Sequence, residues 1–233
     1  LASGTHTLRV ASAGDSIRFQ GLILSSGATT VAPAISSKLI EFVGDSVTAG
    51  ATTTEQDLTA YGWLIGEQLK VRHTQIAQPG ICLTDKVHCG SPNHIGMIVQ
   101  FLKLQNPSYP TSPNWDFSRY QANVVVINLG TNDNKYGVSD STFQTNYVAF
   151  LKEVRAKYPH AVILALRGFK GLKEVPTLAA VRAINAAGDR NVHYVDTTGW
   201  LVKADFHDSA HPTNAGQMKA ALKLAPIVSS YLG

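Results

Sequence analysis

One run of apolar residues, NVVVINLG at 123–130, constrains the fold more than any other part of the sequence. It shows little alternation of apolar and polar positions, which is typical of a central parallel strand covered by helices on both faces. Four further short runs predict strands, at 38–43, 73–78, 161–168 and 192–196. Helical patterns separate these runs, so strand and helix alternate about five times. This order predicts an α/β fold, a three-layer α/β/α sandwich around a central, mostly parallel sheet.

The helices are predicted from apolar residues that recur every three or four positions. Asp140 directly precedes one of them and is expected to act as its N-cap. The section at 82–122 does not follow the alternation, and it predicts a long crossover with at most one helix, near 95–104. The predicted helices span 57–70, 141–158, 176–188 and 213–231.

The N-terminal residues predict a separate small element. Residues 5–10 and 16–24 alternate in the manner of strands, and the sequence ASAGD between them is a turn signal. We therefore expect a short N-terminal β-hairpin within residues 1–34, followed by the α/β domain at 35–233.

Composition narrows the classes of partner. With 233 residues, 44% hydrophobic and 15% charged, the chain is long and apolar enough for a globular domain with a full core. The net charge is +4 and the basic residues are scattered, so we expect no nucleic-acid binding. No apolar run reaches the length of a membrane span. The low charged fraction favours a secreted, extracellular protein, and we expect a monomer.

The two cysteines, Cys82 and Cys89, are separated by six residues. In an oxidising compartment such a pair closes a short loop, and we expect this disulfide. Two free thiols are the alternative. His88 and His94 lie near Cys89, but their spacing matches no standard zinc site, so we expect no metal and no other cofactor.

The tripeptide Gly-Asp-Ser occurs twice, ending at Ser16 and at Ser46. Ser16 lies at the corner of the predicted hairpin and is not followed by a helix. Ser46 follows the predicted strand at 38–43 and precedes the predicted helix at 57–70, which puts it at the carboxyl end of a strand. Open α/β sheets carry their sites at this edge, so Ser46 is the candidate nucleophile.

A serine nucleophile needs a base to take its proton and a group that orients the base. Asp208 precedes His211 by three residues. Side chains three apart in a helical turn lie side by side, with roughly 5–6 Å between Cβ atoms. Pro212 disfavours helical dihedrals at His211 and so ends the turn there. Asp205 is the alternative carboxylate partner.

Two further segments offer donors for an oxyanion. Asn132 follows the central strand in NLGTNDN, and its side-chain NH₂ can donate a hydrogen bond. Gly80 follows the strand at 73–78 in AQPGIC, and it can bring its backbone N–H close to a substrate because it has no side chain.

These blocks occur in the order Gly-Asp-Ser, Gly, Gly-Thr-Asn-Asp and Asp-x-x-His-Pro. Over roughly residues 38–231 they resemble the SGNH (GDSL-type) hydrolases. The resemblance implies that Ser46 is the nucleophile, His211 the general base and Asp208 the carboxylate that orients it. It also implies an oxyanion hole formed by the N–H groups of Ser46 and Gly80 and the side-chain amide of Asn132.

The N-terminal residues resemble the closing strands of the β-sandwich in carbohydrate esterase family 2, so the hairpin would be a remnant or an edge of such a sandwich. This resemblance implies a serine esterase that removes acyl groups, chiefly acetyl, from plant cell-wall polysaccharide. The alternatives are a lipid or short-chain acylhydrolase of the same fold and a non-catalytic carbohydrate-binding protein. The candidate substrate-binding residues are Asp45, Tyr109, Trp115, Tyr136 and Trp200.

Overall fold

A computed structural model describes residues 4–13 and 19–233 of the chain. The strands are β1 (Leu39–Gly44), β2 (Arg72–Ala77), β3 (Val124–Asn128), β4 (Val162–Leu166) and β5 (Val192–Val195). They form one sheet in the order β2-β1-β3-β4-β5, and every neighbouring pair is parallel. The predicted α/β fold with a parallel sheet is confirmed.

Helices cover the two faces of the sheet. They are α1 (Tyr61–Leu69), α2 (Met97–Gln100), α3 (Thr131–Lys135), α4 (Asp140–Lys157), α5 (Glu174–Ala186) and α6 (Asn214–Ser229). Helix α4 packs against α5, and α1 packs against α6. Two hydrophobic clusters therefore fill the space between the sheet and its helices, one on each face.

Strand β3 explains why its sequence shows so little alternation. Val125 and Ile127 belong to the cluster beneath α4 and α5, whereas Val124 and Val126 belong to the cluster beneath α1 and α6. All four side chains are fully buried. Because successive strand residues point to opposite faces, a strand covered on both faces needs apolar residues at every position.

Some predicted boundaries differ from the structure. The first helix begins at Tyr61 rather than at residue 57, because Gln56–Thr59 form a separate 3₁₀ turn. The predicted N-cap Asp140 is wrong. The cap is Ser139, whose side chain accepts a hydrogen bond from the Thr142 N–H, and Asp140 is the first helical residue.

The crossover at 82–122 is largely irregular, and the predicted helix near 95–104 is reduced to the single turn of α2. A disulfide joins Cys82 to Cys89, as predicted, with 6.0 Å between their Cα atoms. Both cysteines are buried, and because the sulfur of Cys89 is bonded to Cys82 it is not a free thiolate ligand.

The predicted N-terminal hairpin does not appear in the described residues, since 4–13 and 19–38 contain no strand. Its corner, with Ser16, falls on residues 14–18, which lie outside the described residues. The Arg9 guanidinium lies 4.7 Å over the Trp63 ring and pairs with the Glu67 carboxylate. The N-terminal segment at 4–13 therefore contacts α1. Within the described ranges, no helix combines the length and apolarity needed to cross a membrane.

Candidate active site

Ser46 lies in the turn that follows β1, one of the inner strands of the sheet. The Thr48 and Ala49 N–H groups donate to the Asp45 carbonyl at 3.1 and 3.0 Å, which forms a tight turn around the serine. A Cβ at Gly44 would lie only 2.8 Å from the Asn128 carbonyl oxygen of β3, so this strand end requires glycine. This turn, residues 45–49, holds Ser46 at the carboxyl edge of the sheet. We call it the nucleophile turn, after the candidate nucleophile Ser46.

A continuous chain of hydrogen bonds runs from Ser46 to Asp208 through His211. The Ser46 Oγ lies 2.8 Å from His211 Nε2, and His211 Nδ1 lies 2.8 Å from Asp208 Oδ2. The other Asp208 oxygen accepts the backbone N–H groups of Ala210 and His211, both at 2.8 Å. The carboxylate is thus fixed against its own turn, and the imidazole bridges it to the serine hydroxyl.

The carboxyl of Asp208 is held in its ionised form. Partial burial raises its pKa, but the hydrogen bonds from the His211 ring and from the His211 and Ala210 backbone outweigh this effect. The pKa of Asp208 therefore lies well below its usual range. An ionised carboxylate accepts a hydrogen bond from the imidazole and leaves the other ring nitrogen facing Ser46.

Asp205, the alternative partner, is engaged elsewhere. Its Oδ2 lies 2.7 Å from Lys219 Nζ and accepts the Val202 N–H at 2.7 Å. Its backbone carbonyl accepts the Thr213 N–H, just ahead of α6. Asp205 therefore secures the segment that carries His211, while Asp208 is the carboxylate that contacts the ring.

Gln217, for which no role was predicted, links α6 to the turn around Ser46. Its Nε2 donates to the Val47 carbonyl at 2.9 Å, and its Oε1 accepts the Tyr61 N–H at 3.0 Å. Asn214 likewise makes two hydrogen bonds, both to Thr54. Its Oδ1 accepts the Thr54 N–H, and its Nδ2 donates to the Thr54 hydroxyl. Two amide side chains at the start of α6 thereby fix the histidine segment relative to the nucleophile turn.

The two candidate oxyanion donors lie in adjoining segments. Asn132 is buried in the first turn of α3, and its Nδ2 donates to the Ile81 carbonyl at 2.8 Å. One of its two amide hydrogens remains for another acceptor. Gly80 has φ +79, and a Cβ there would lie 2.8 Å from the Gly90 carbonyl carbon. Gly80 is therefore required both by its backbone conformation and by its close approach to Gly90.

Asp133, for which no role was predicted, links these two segments. It is fully buried, with Oδ2 accepting the Leu83 N–H at 2.8 Å and Oδ1 accepting the Thr84 N–H at 3.1 Å. Burial raises the pKa of this carboxyl, and the two backbone bonds act against that rise. Asn132 and Asp133 together hold the 81–84 segment beside α3.

Asp45 was predicted to contact substrate, but it is only 1% exposed. Its Oδ1 accepts the Val47 N–H at 2.9 Å, so its side chain shapes the nucleophile turn from the inside. Burial raises the pKa of Asp45 to about 6, against the lowering effect of that hydrogen bond. The carboxyl does not reach the surface in this structure, and a substrate contact by Asp45 stays a prediction.

The four aromatic candidates fall in different places. Tyr136 is exposed at the end of α3, and its hydroxyl lies near Gly90, which packs against Gly80. Tyr109 is exposed on the crossover, where it follows Ser108. Trp200 packs on the core beneath α1 and α6, as a structural residue would. Trp115 lines a separate cavity beside β2.

A largely polar cavity of about 440 Å³ adjoins the nucleophile turn. It extends from that turn across the end of β2 to the crossover. Its lining includes Ala49, Ala51, Thr52, Gln78, Pro79 and Asn106. This cavity gives a ligand bound near Ser46 room on the β2 side of the sheet.

Known proteins share this architecture. The chain is 31% identical over 191 residues to the cellulase/esterase CelE of Acetivibrio thermocellus, covering 77% of the chain and 22% of CelE. It is 25% identical over 122 residues to an acetylxylan esterase / glucomannan deacetylase of Cellvibrio japonicus, covering 49% of the chain and 32% of that protein. The chain therefore spans about a fifth to a third of these curated relatives.

A solved structure agrees with these matches. A family two carbohydrate esterase from Clostridium thermocellum, in complex with cellohexaose, superposes with a TM-score of 0.74 at 28% identity. The match covers 90% of this chain and 69% of that one. The model of the GDSL-like lipase/acylhydrolase family matches residues 42–219, which is more than half of the chain. The chain therefore belongs to the GDSL-like lipase/acylhydrolase family.

Proposed function

We propose that the chain is a serine esterase that hydrolyses acetyl esters on plant cell-wall polysaccharide, with Ser46, His211 and Asp208 as its catalytic triad. The observation that carries the proposal is the hydrogen-bonded chain from the Ser46 Oγ through His211 to Asp208, with both bonds to the imidazole at 2.8 Å. Triads of this kind are recognised by geometry and roles rather than by sequence position.

The mechanism is acyl transfer in two steps. The Ser46 Oγ attacks the ester carbonyl carbon while its proton passes to His211 Nε2. The tetrahedral intermediate then collapses, the bond to the alcohol oxygen breaks, and the alcohol leaves with the proton from His211. Water attacks the acyl-enzyme and gives a proton to His211. The acid departs as that proton returns to Ser46, and Asp208 stabilises the imidazolium in both steps.

The negative charge on the former carbonyl oxygen requires donors in place before the reaction. We assign this role to the N–H groups of Ser46 and Gly80 and to the second amide hydrogen of Asn132. The bond from Asn132 to the Ile81 carbonyl and the two bonds that Asp133 accepts support this assignment, because they hold Asn132 beside the segment that directly follows Gly80.

The substrate is proposed from the relatives and from the cavity. The name of the Cellvibrio japonicus relative covers acetylxylan esterase and glucomannan deacetylase activity, and the Clostridium thermocellum neighbour is a carbohydrate esterase. The polar lining of the cavity next to the nucleophile turn suits a hydroxylated alcohol component better than an acyl chain. The disulfide supports action outside the cell, since disulfides persist in oxidising compartments.

The test is acetate release from acetylated xylan and acetylated glucomannan, together with a series of p-nitrophenyl esters of increasing acyl length. We expect release from at least one polysaccharide, and kcat/KM should fall as the acyl chain lengthens. Ser46→Ala should abolish both activities, and Ser16→Ala serves as the matched control with activity retained. A kcat/KM that rises with chain length would favour a lipid acylhydrolase, and polysaccharide binding without any ester hydrolysis would favour a non-catalytic binding protein.

A further inference from the structure

A second cavity, of about 250 Å³, lies beside β2 and beneath the crossover. Its lining includes Gln75, Gln78, Leu104, Gln105, Trp115 and Tyr120, together with apolar residues of β2 and α2. Sites for drug-sized ligands usually measure ~300–1,000 Å³, so this cavity has room for a single ring and its substituents.

The rings of the aromatic wall, Trp115 and Tyr120, pack against each other and against neighbouring side chains. The Trp115 and Tyr120 rings lie 5.7 Å apart, and the Arg119 guanidinium lies 5.4 Å over the Trp115 ring. The Tyr120 ring also stacks on Tyr158 at 6.4 Å. Rings fixed in this way offer contact area to a ligand at little entropic cost.

A buried glutamate completes this support. Glu41, in the middle of β1, is fully buried, and its Oε2 accepts the hydroxyls of Tyr120 at 2.8 Å and Tyr158 at 2.9 Å, with Thr74 at 3.3 Å. A carboxyl at this depth is costly unless it is hydrogen-bonded. The proposed triad makes no use of Glu41; its bonds fix the orientation of the aromatic wall.

The chemistry of the lining favours a neutral, hydroxylated ligand. No carboxylate is among the described residues that line the cavity, and the cation there, Lys103, has its Nζ 3.0 Å from Asn114 Oδ1. The polar part of the wall is mainly amide side chains, which both donate to and accept from hydroxyls. Aromatic faces beside amides match the apolar and polar surfaces of a sugar ring.

The second cavity adjoins the cavity next to the nucleophile turn. Both are lined by Ala77, Gln78 and Asn106, at the end of β2 and on the crossover. A chain of linked sugars that starts near Ser46 can therefore extend into the second cavity.

We propose that this second cavity is a subsite for a neutral sugar ring of the polysaccharide, distant from the ester that is cleaved, and that Trp115 and Tyr120 form its binding wall. The inference rests on the proposed function for the identity of the polymer. The subsite would bind an unacetylated sugar of the polysaccharide. The affinity for the polymer would then not depend on the acetyl group alone.

The test is calorimetric titration with xylohexaose and mannohexaose, which carry no ester and so report binding without turnover. We expect Trp115→Ala to raise Kd about tenfold, which corresponds to ~1.4 kcal/mol. Gln105→Ala, at an exposed position on the wall, should also raise Kd, and it should leave folding unchanged because residue 105 is exposed. Trp63→Ala is the matched control, because Trp63 lines neither cavity. The Kd of this variant should equal that of the wild type.

The outcomes separate this inference from the proposed function. Wild-type protein that binds neither hexasaccharide, or Trp115→Ala and Gln105→Ala variants that bind as the wild type does, would overturn the subsite even if p-nitrophenyl acetate is hydrolysed. Loss of binding in both variants but not in Trp63→Ala would support the subsite even if no ester is hydrolysed.

Discussion

Replacing Gln217 with alanine should destabilise the protein more than any exposed substitution in α6. Gln217 is fully buried, and its amide satisfies the Val47 carbonyl and the Tyr61 N–H, both of which belong to buried residues. Leaving a buried polar group unpaired costs ~1–3 kcal/mol, so two such groups cost roughly 2–6 kcal/mol before any cavity is counted. Because domains are typically stable by only ~5–15 kcal/mol, this is a large fraction of the total.

The assay is urea unfolding of Gln217→Ala beside Met218→Ala, an exposed neighbour in the same helix. We expect a lower free energy of unfolding for the first variant and little change for the second. At equal folded fraction, kcat for p-nitrophenyl acetate should also fall, since Gln217 links α6 to the nucleophile turn. A loss below ~0.5 kcal/mol, or one equal to that of Met218→Ala, would refute the reasoning.

Three further predictions concern the site. Asn132→Ala should lower kcat by about 10²–10³, the usual cost of one oxyanion donor, and a change in KM alone would contradict that role. Burial raises the pKa of Asp45 to about 6. The native state therefore binds more protons than the unfolded state between about pH 4 and 6. The contribution of Asp45 to the free energy of unfolding falls as the pH rises through that window. Asp45→Asn should remove that fall, worth up to roughly 3 kcal/mol, as measured by urea unfolding from pH 4 to 7; parallel curves for the two proteins would contradict it. Gly80→Ala should reduce activity and thermal stability together, because a Cβ would clash with the Gly90 backbone; full activity in this variant would show that the loop can move away.

The sheet was predictable because its strands are buried on both faces. Val124–Asn128 is apolar at almost every position for that reason, and the short runs before and after it carry the same signal. Helix starts were less predictable. Ser139 and Asp140 are both good caps, and only the structure shows that the Ser139 side chain reaches the Thr142 N–H.

The candidate triad could be predicted from the sequence because its signals are local. Asp208 and His211 are three residues apart in one turn, and the strand before Ser46 and the helix after it distinguish it from Ser16. Gln217 and Asp133 could not be found in this way. Their partners lie 49 or more positions away in the chain, and an isolated glutamine or aspartate carries no sign of such a contact.

The central claim is that Ser46 forms a covalent acyl-enzyme with His211 as its base. The most direct measurement is rapid acid quenching of the protein during turnover of p-nitrophenyl acetate, followed by mass spectrometry of its peptides. The account predicts one acetyl group on the peptide that contains Ser46, none in Ser46→Ala, and much slower acetylation of Ser46 in His211→Ala. An acetyl group on a different residue, or turnover by Ser46→Ala at the wild-type rate, would contradict it.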